Sequence, residues 1–121
     1  MVDFLGTHSV FDLLFAENDP VLVDSTDFMN TMREVVLSQG ATVLKEEKHT
    51  FDGGGFTFTL ILAESHASCH TWPEYGMATF DIYMCGRCDA HMAMDFFIDK
   101  IKNQHNLKRR DETRIFRGWV G

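Results

Sequence analysis

The segment ESHASCHTWPE, residues 64–74, lies between two strand-like runs and decides the fold. Apolar and polar residues alternate over residues 56–62 and again over 65–72, which is the period of a β-strand with one buried face. Residues 73–76 have the composition of a turn, and residues 77–85 supply the next strand. These patterns predict consecutive antiparallel strands that carry five reactive or ligand-capable side chains.

One helix is predicted before these strands in the sequence and a second helix after them. Residues 24–27 offer several N-caps, and Gly40 is expected to end the first helix. Asp89 is expected to cap the second helix. The apolar stripe of the first helix comprises Phe28, Met32, Val35 and Val36, and that of the second comprises Ala93, Phe96, Phe97 and Ile101. The residues expected to face outward on the second helix are Asp95, Asp99 and Lys102.

Three further strands complete the prediction, over residues 5–16, 41–51 and 114–120, with a glycine-rich turn at 52–55. The order of the elements fits the α+β class. We expect a two-layer sandwich in which a mostly antiparallel sheet carries helices on one face. A chain of 121 residues is large enough for one core, so residues 1–121 are predicted to form a single domain.

The charge and cysteine content restrict the classes of partner. With a formal net charge of -7, the chain has no electrostatic footprint for nucleic acid or for an anionic membrane. No apolar run approaches the roughly 18 residues that span a bilayer. Residues 1–3 lack the basic start of a signal peptide, and three cysteines cannot all pair within one chain. The expected location is the reducing cytoplasm.

A simple hairpin would bring two reactive side chains together. If the strands on either side of residues 73–77 pair symmetrically, opposed residues have numbers that sum to 150, and Ser65 faces Cys85. Opposed side chains on one face have Cβ atoms roughly 4.5–5.5 Å apart, so the thiol would act on chemistry at residue 65. The alternative is that Cys85 is a small buried residue at a strand end.

Histidine and cysteine spacing also permits a zinc hypothesis. The candidate ligands are His66, His70, Cys69, Cys85 and Cys88. On a regular strand, however, His66 and His70 share one face while Cys69 lies on the other. One tetrahedral centre would therefore need a bulge, and we expect no metal.

The motif LAESHxSxHTWPEYG at residues 62–76, followed by Ala78, Asp81 and Cys85-Gly86, resembles the signature of the prokaryotic S-adenosylmethionine decarboxylase family. The resemblance implies a self-processing enzyme that uses a pyruvoyl group. Such a chain is cut between Glu64 and Ser65, which here would give a β chain of residues 1–64 and an α chain of residues 65–121. Ser65 would become the pyruvoyl group that forms a Schiff base with the substrate.

The same resemblance implies roles for individual residues. His70 matches the histidine that assists processing, and Cys85 matches the proton donor. At position 57 the resemblance implies a serine involved in processing, and Thr57 keeps the hydroxyl while adding a methyl group near the predicted cleavage point. The residues matching the substrate-binding set are Phe51 and Trp72, which stack on adenine, and Glu74, which binds the ribose hydroxyls.

The implied activity is that of a carboxy-lyase converting S-adenosylmethionine to the aminopropyl donor of spermidine biosynthesis. Two alternatives stay open: a related pyruvoyl decarboxylase acting on arginine or ornithine, and an unprocessed, catalytically silent homologue that regulates a partner. The family also implies a homodimer of processed protomers with the site near the interface.

Overall fold

A computed structural model describes residues 3–120 as one sheet and two α-helices. Two single-turn 3-10 helices, Pro20–Leu22 and Pro73–Tyr75, lie in the connections. The elements in chain order are β1 (Phe4–Leu14), α1 (Thr26–Ser38), β2 (Val43–Thr50), β3 (Phe56–Leu62), β4 (Ser65–Trp72), β5 (Met77–Cys85), α2 (Ala90–Gln104) and β6 (Arg109–Trp119).

The six strands form one antiparallel sheet in the order β2-β3-β4-β5-β1-β6. The buried residues of both helices belong to the same apolar core as the inward residues of the strands, so the helices cover one face. The opposite face, which we call the open face, is not covered by any described element. The predicted α+β class with helices on one face of an antiparallel sheet is confirmed.

Aromatic side chains fill the space between the sheet and the helices. Phe28 of α1 lies 5.2 Å from Phe80 of β5 and 6.0 Å from Phe97 of α2, measured between ring centroids. Phe11 of β1 stacks on Phe80 at 4.9 Å. Edge-to-face and offset contacts of this kind add to the free energy gained from apolar burial, so both helices are held against the central strands.

Local hydrogen bonds explain where the helices begin and end. The Asp24 carboxylate accepts a hydrogen bond from the amide of Thr26 at 2.9 Å, at the start of α1. Asp89 caps α2 as predicted, since its carboxylate accepts from His91 and Met92. Gly40 follows α1 with φ of +87°, a left-handed conformation that glycine adopts without steric strain.

Several predicted boundaries are wrong at their edges. β1 ends at Leu14 rather than 16, β2 spans Val43–Thr50 rather than 41–51, and β6 begins at Arg109 rather than 114. The charged run at the start of β6 did not indicate a strand, but charged residues are normal on an edge strand. Phe96 was placed in the apolar stripe of α2, whereas it is 42% exposed.

The pairing of β4 with β5 differs from the predicted register by one residue. Trp72 pairs with Met77 and His66 with Tyr83, so the numbers of opposed residues sum to 149. The difference arises because the chain turns tightly through Pro73–Tyr75 and Gly76, and Met77 already belongs to the strand. Ser65 is therefore not directly opposite Cys85.

Met1, Val2 and Gly121, which the single-domain prediction includes, lie outside the described residues. Across residues 3–120, neither α-helix is long and apolar enough to cross a membrane. All three cysteines are free, and Cys69 is buried.

Candidate active site

The predicted site residues fall into two groups at opposite ends of β4. One group, which we call the cleavage end, comprises Glu64, Ser65 and Cys85. The other, which we call the pocket end, comprises Phe51, Thr57, His70, Trp72 and Glu74. Strand alternation places Thr57, His70, Trp72 and Cys85 on the open face, because their neighbours along each strand are buried in the core.

At the cleavage end, two hydrogen bonds join Cys85 to residues 64 and 65. The Cys85 thiol donates to the carbonyl oxygen of Glu64 at 3.3 Å. The Cys85 amide donates to Oγ of Ser65 at 3.3 Å. The contact expected between Cys85 and residue 65 therefore exists, although it involves the backbone of Cys85 and not a direct cross-strand side-chain pair.

The bond between Glu64 and Ser65 follows a strained residue. Glu64 has φ of +66°, in the left-handed region that costs a residue with a Cβ roughly 1–2 kcal/mol. The tight connection between β3 and β4 requires this conformation, because Leu62 already pairs with Ser65 across only two intervening residues. The sheet thus holds the predicted cleavage point in an unfavourable backbone conformation.

At the pocket end, a cavity of about 350 Å³ opens beside the 3-10 turn that follows β4. This volume lies within the usual range for small-molecule sites. All five residues of the pocket end line it, together with Gly53, Gly55, Thr71 and Pro73. Phe51 is 51% exposed and Trp72 is 42% exposed, so both aromatic faces are available to a ligand.

Thr57 and His70 are partners within the pocket. Oγ1 of Thr57 lies 2.9 Å from Nδ1 of His70, because β3 and β4 pair these two residues directly. The His70 ring lies 6.2 Å from the ring of Trp72. The Thr57 hydroxyl is therefore within hydrogen-bond distance of the His70 imidazole.

The two ends do not meet within one chain. His70 is five residues and Trp72 is seven residues from Ser65 along a regular strand, which corresponds to roughly 17 Å and 23 Å at about 3.3 Å per residue. No bulge interrupts the pairing of β4 with either neighbour. His70 cannot reach Ser65 of its own chain at hydrogen-bond distance.

A polar network that the sequence did not predict occupies the middle of the open face. Oδ2 of Asp81 is 2.8 Å from Nε2 of His8 and 2.8 Å from Nε2 of His66. The Ser68 hydroxyl donates to the other carboxylate oxygen of Asp81. The register of β1, β4 and β5 brings these four side chains together, and only long-range strand order could have indicated it.

These contacts shift the acid–base properties of the network. Burial alone raises the pKa of Asp81, but hydrogen bonds from His66, Ser68 and His8 outweigh it and hold that pKa far below the ordinary carboxyl value. The hydrogen bond to Asp81 raises the pKa of His66, although partial burial opposes the shift. The carboxylate is therefore charged at any physiological pH and favours protonation of His66.

Metal ligation does not fit the donor arrangement well. Ligand atoms of His8, His66 and Asp81 lie within 4.8 Å of one another, and these three form the one such group found in residues 3–120. However, Arg117 donates to Nδ1 of His8 at 2.9 Å, which assigns the remaining ring proton to Nε2, the atom facing Asp81. The ligands predicted for zinc do not lie together either, because Cys69 is buried on the face opposite His70.

Comparison with known proteins identifies the family of this fold and site. A profile of the family described as S-adenosylmethionine decarboxylase matches residues 7–112. The chain belongs to the S-adenosylmethionine decarboxylase family. The matched range includes every residue of the cleavage end and of the pocket end, and it excludes Arg117.

Members of the S-adenosylmethionine decarboxylase family resemble the chain over most of its length. The S-adenosylmethionine decarboxylase proenzyme of Pyrobaculum islandicum is 36% identical over 102 residues, which span 83% of this chain and 81% of the relative. The proenzyme of Aquifex aeolicus is 36% identical over 127 aligned positions, spanning 99% and 86%. The crystal structure of the adenosylmethionine decarboxylase from Aquifex aeolicus superposes with a TM-score of 0.80 at 32% identity, covering 99% and 96%.

The Asp81 network predicts a pH-dependent contribution to stability. The pKa of His66 in the folded protein is raised above the unfolded value of 6.5. The contact between protonated His66 and Asp81 therefore stabilises the folded protein fully below pH 6.5, and this stabilisation is lost as pH rises through the folded pKa. Asp81→Asn removes the carboxylate. The free energy of unfolding should therefore fall more at pH 5.5 than at pH 8.5, by under about 1 kcal/mol because His66 is partly exposed.

Urea titrations at fixed protein concentration measure this difference. Asp52→Asn, in the exposed turn between β2 and β3, is the control and should show no difference between the two pH values. A destabilisation of Asp81→Asn that is the same at pH 5.5 and 8.5 would contradict the coupling to His66.

Proposed function

We propose that the chain cuts itself between Glu64 and Ser65 and then decarboxylates S-adenosylmethionine, acting as a carboxy-lyase that supplies the aminopropyl donor for spermidine biosynthesis. The observation that carries the proposal is the cleavage end, where Cys85 contacts both residues of a bond next to a strained backbone: its thiol donates to the carbonyl oxygen of Glu64 and its amide donates to the hydroxyl of Ser65. The proenzyme names of the relatives agree with processing.

Self-cleavage follows from the arrangement of the three groups. Oγ of Ser65 is the nucleophile that attacks the carbonyl carbon of Glu64, and the amide of Cys85 donates a hydrogen bond to this hydroxyl. The Cys85 thiol donates to the oxygen of that carbonyl, so it stabilises negative charge that develops there during attack. Strain at Glu64 is released when the bond breaks. Residues 1–64 and 65–121 then remain associated through the pairing of β3 with β4.

The residues at the cleavage end fit a pyruvoyl group at position 65, because the serine that would form it adjoins both the strained bond and a thiol. When formed, this group supplies the electron sink for the pair of electrons left by carbon dioxide. Cys85 delivers the proton that replaces the carboxyl group at the substrate carbon.

The pocket end has the side chains that an adenosine with a sulfonium would need. The faces of Phe51 and Trp72 are exposed for stacking on adenine, and a cation near such a face gains on the order of 1 kcal/mol. Glu74 offers two carboxylate oxygens to a vicinal diol. These features favour the nucleoside over free arginine or ornithine, which need no aromatic stack.

The separation of the two ends supports a homodimer with a shared site. A distance of roughly 23 Å between Ser65 and Trp72 exceeds the length of a nucleoside with a short amino-acid arm. If two open faces pack about a two-fold axis that crosses the middle of β4, the cleavage end of one protomer faces the pocket end of its partner. His70 would then assist processing of the partner's Ser65. Three free cysteines agree with a reducing cytoplasmic location.

Replacing one tryptophan tests the substrate. Trp72→Ala should raise KM for S-adenosylmethionine about ten-fold or more with little change in self-cleavage, because base–aromatic stacking contributes roughly 1–3 kcal/mol. The rate of release of labelled carbon dioxide at increasing substrate concentration measures this KM. Trp119→Ala, on edge strand β6, is the matched control because the chain has only two tryptophans. Faster release from arginine or ornithine than from S-adenosylmethionine would contradict the substrate assignment.

Co-expression of two inactive variants tests the shared site. A Ser65→Ala chain keeps His70 but cannot be cut, and a His70→Ala chain keeps Ser65 but lacks its own histidine. In a mixed dimer the second chain meets the His70 of the first, so it should be cleaved. Tags of different mass identify which chain gives fragments in a denaturing gel.

Each variant expressed alone provides the control, because neither homodimer combines Ser65 with His70. If the His70→Ala chain stays intact in the mixture, or is already cleaved fully when expressed alone, the proposed contribution of His70 to the partner's cleavage is wrong.

A further inference from the structure

We propose that Tyr83 is a positioning residue for Cys85, and that its hydroxyl holds the sulfur in the state that remains after the thiol has given up its proton. This inference rests on the proposed function, in which Cys85 is the proton donor. Tyr83 has no role in the substrate set or in self-cleavage described above. The chain has only two tyrosines, so the other one, Tyr75, provides a matched control.

Strand geometry places the phenol on the same face as the thiol, one row of the sheet away. Tyr83 and Cys85 are two residues apart on β5, so both side chains project from the open face. Gly6 of β1 pairs with Cys85 in the sheet. A Cβ built on Gly6 would lie 3.3 Å from the hydroxyl oxygen and 3.1 Å from Cε1 of Tyr83. The Tyr83 ring therefore leans over Gly6, and its hydroxyl lies beside the residue that pairs with Cys85.

Gly6 is the residue that makes this position available. A side chain there would also meet the carbonyl oxygen of Met84 at 2.6 Å, so the strand tolerates no Cβ without a backbone shift. The absence of a side chain leaves a gap in the row of the open face next to Cys85. Tyr83 fills that gap with its polar end.

Two neighbours fix the Tyr83 ring from other strands. The guanidinium carbon of Arg117 on β6 lies 5.6 Å from the ring centroid, within the range of a cation–π contact. The His8 ring lies 5.3 Å away, and Arg117 also donates to Nδ1 of His8. The Asp81 network thus connects to the cleavage end through His8, Arg117 and Tyr83. Purely apolar packing would not require this arrangement of polar groups.

The protonation behaviour of Tyr83 agrees with a donor role. A hydrogen bond with Cys85, and then the charge of Cys85, raise the pKa of Tyr83 above its ordinary value. The phenol therefore keeps its proton at neutral pH and is able to donate a hydrogen bond to sulfur.

The proton and electron balance of the step is simple. The S–H bond of Cys85 breaks as a C–H bond forms at the substrate carbon that lost carbon dioxide, and the electron pair stays on sulfur as a thiolate. The Tyr83 hydroxyl donates a hydrogen bond to that thiolate and keeps its own proton. Water then returns a proton to the sulfur before the next turnover. Stabilising the thiolate makes the thiol a stronger acid, which accelerates proton delivery.

Alkylation of Cys85 tests the contact without using catalysis. In the Ser65→Ala background, which forms no pyruvoyl group, iodoacetamide labelling of Cys85 at pH 7.5 is followed by peptide-resolved mass spectrometry. Adding Tyr83→Phe should lower the labelling rate about three- to five-fold, because less thiolate is present even though the remaining thiolate is somewhat more nucleophilic. Tyr75→Phe, in the exposed turn after β4, should leave the rate unchanged.

Steady-state kinetics on the processed protein tests the role in turnover. Tyr83→Phe should lower kcat about ten-fold with KM and self-cleavage unchanged, since the contact matters only when sulfur is charged. A general structural defect would instead raise KM or impair cleavage. Cys88 labelling in the same digest reports any loosening of the fold.

The two measurements separate the two hypotheses. Unchanged Cys85 labelling in Tyr83→Phe would overturn the positioning role whether or not the protein is an enzyme. A lower labelling rate in a protein that releases no carbon dioxide would retain the contact and reject the proposed function. Lower labelling with an unchanged kcat would show that Tyr83 contacts Cys85 without assisting turnover, which overturns the inference as stated.

Discussion

The pairing of β4 with β5 is the constraint on which the rest of the molecule depends. Opposed residues of the two strands have numbers that sum to 149, so Cys85 lies opposite the turn that contains Glu64. The thiol of Cys85 contacts Glu64 and its amide contacts Ser65. A slip of one residue would turn every side chain of β4 to the other face and would expose Cys69 while burying His70. The same register places Asp81 between His8 and His66. One set of backbone hydrogen bonds therefore positions Ser65, the Cys85 thiol and the central polar network.

The open face of the sheet carries reactive residues that lie far apart. A six-stranded sheet with helices on one side leaves the other side uncovered, and this side carries Cys85 at one end of the β4–β5 pair and His70 and Trp72 at the other. The intervening strand is rigid and regular, so it separates Ser65 from His70 and Trp72 instead of joining them. The proposed site shared between two copies would resolve this separation without any change in the fold of one chain. It also gives the polar network a location between the two proposed sheets, where burial would strengthen its interactions.

Much of this arrangement was accessible from the sequence. β3, β4 and β5 were predicted with their observed bounds, because alternation of apolar and polar residues is strongest where one face is buried. The residues of the site came from the motif around Ser65. The edge strands were harder to predict, since β6 begins with a charged run and β2 is exposed along nearly its whole length. The polar network and the position of Tyr83 depend on β1 lying next to β5, which pairs residues 63 to 79 positions apart. Single-residue patterns carry no information on that order, and the register error arose from the compact 3-10 turn.

Self-cleavage at residue 65 is tested most directly by the mass of the purified protein under denaturing conditions. Two fragments are expected, residues 1–64 and residues 65–121, with the second lighter by one ammonia than its sequence because serine has become a pyruvoyl group. The Ser65→Ala chain should run as a single species of full mass. A wild-type protein that stays intact, or that breaks at any bond other than the one between Glu64 and Ser65, would contradict the account.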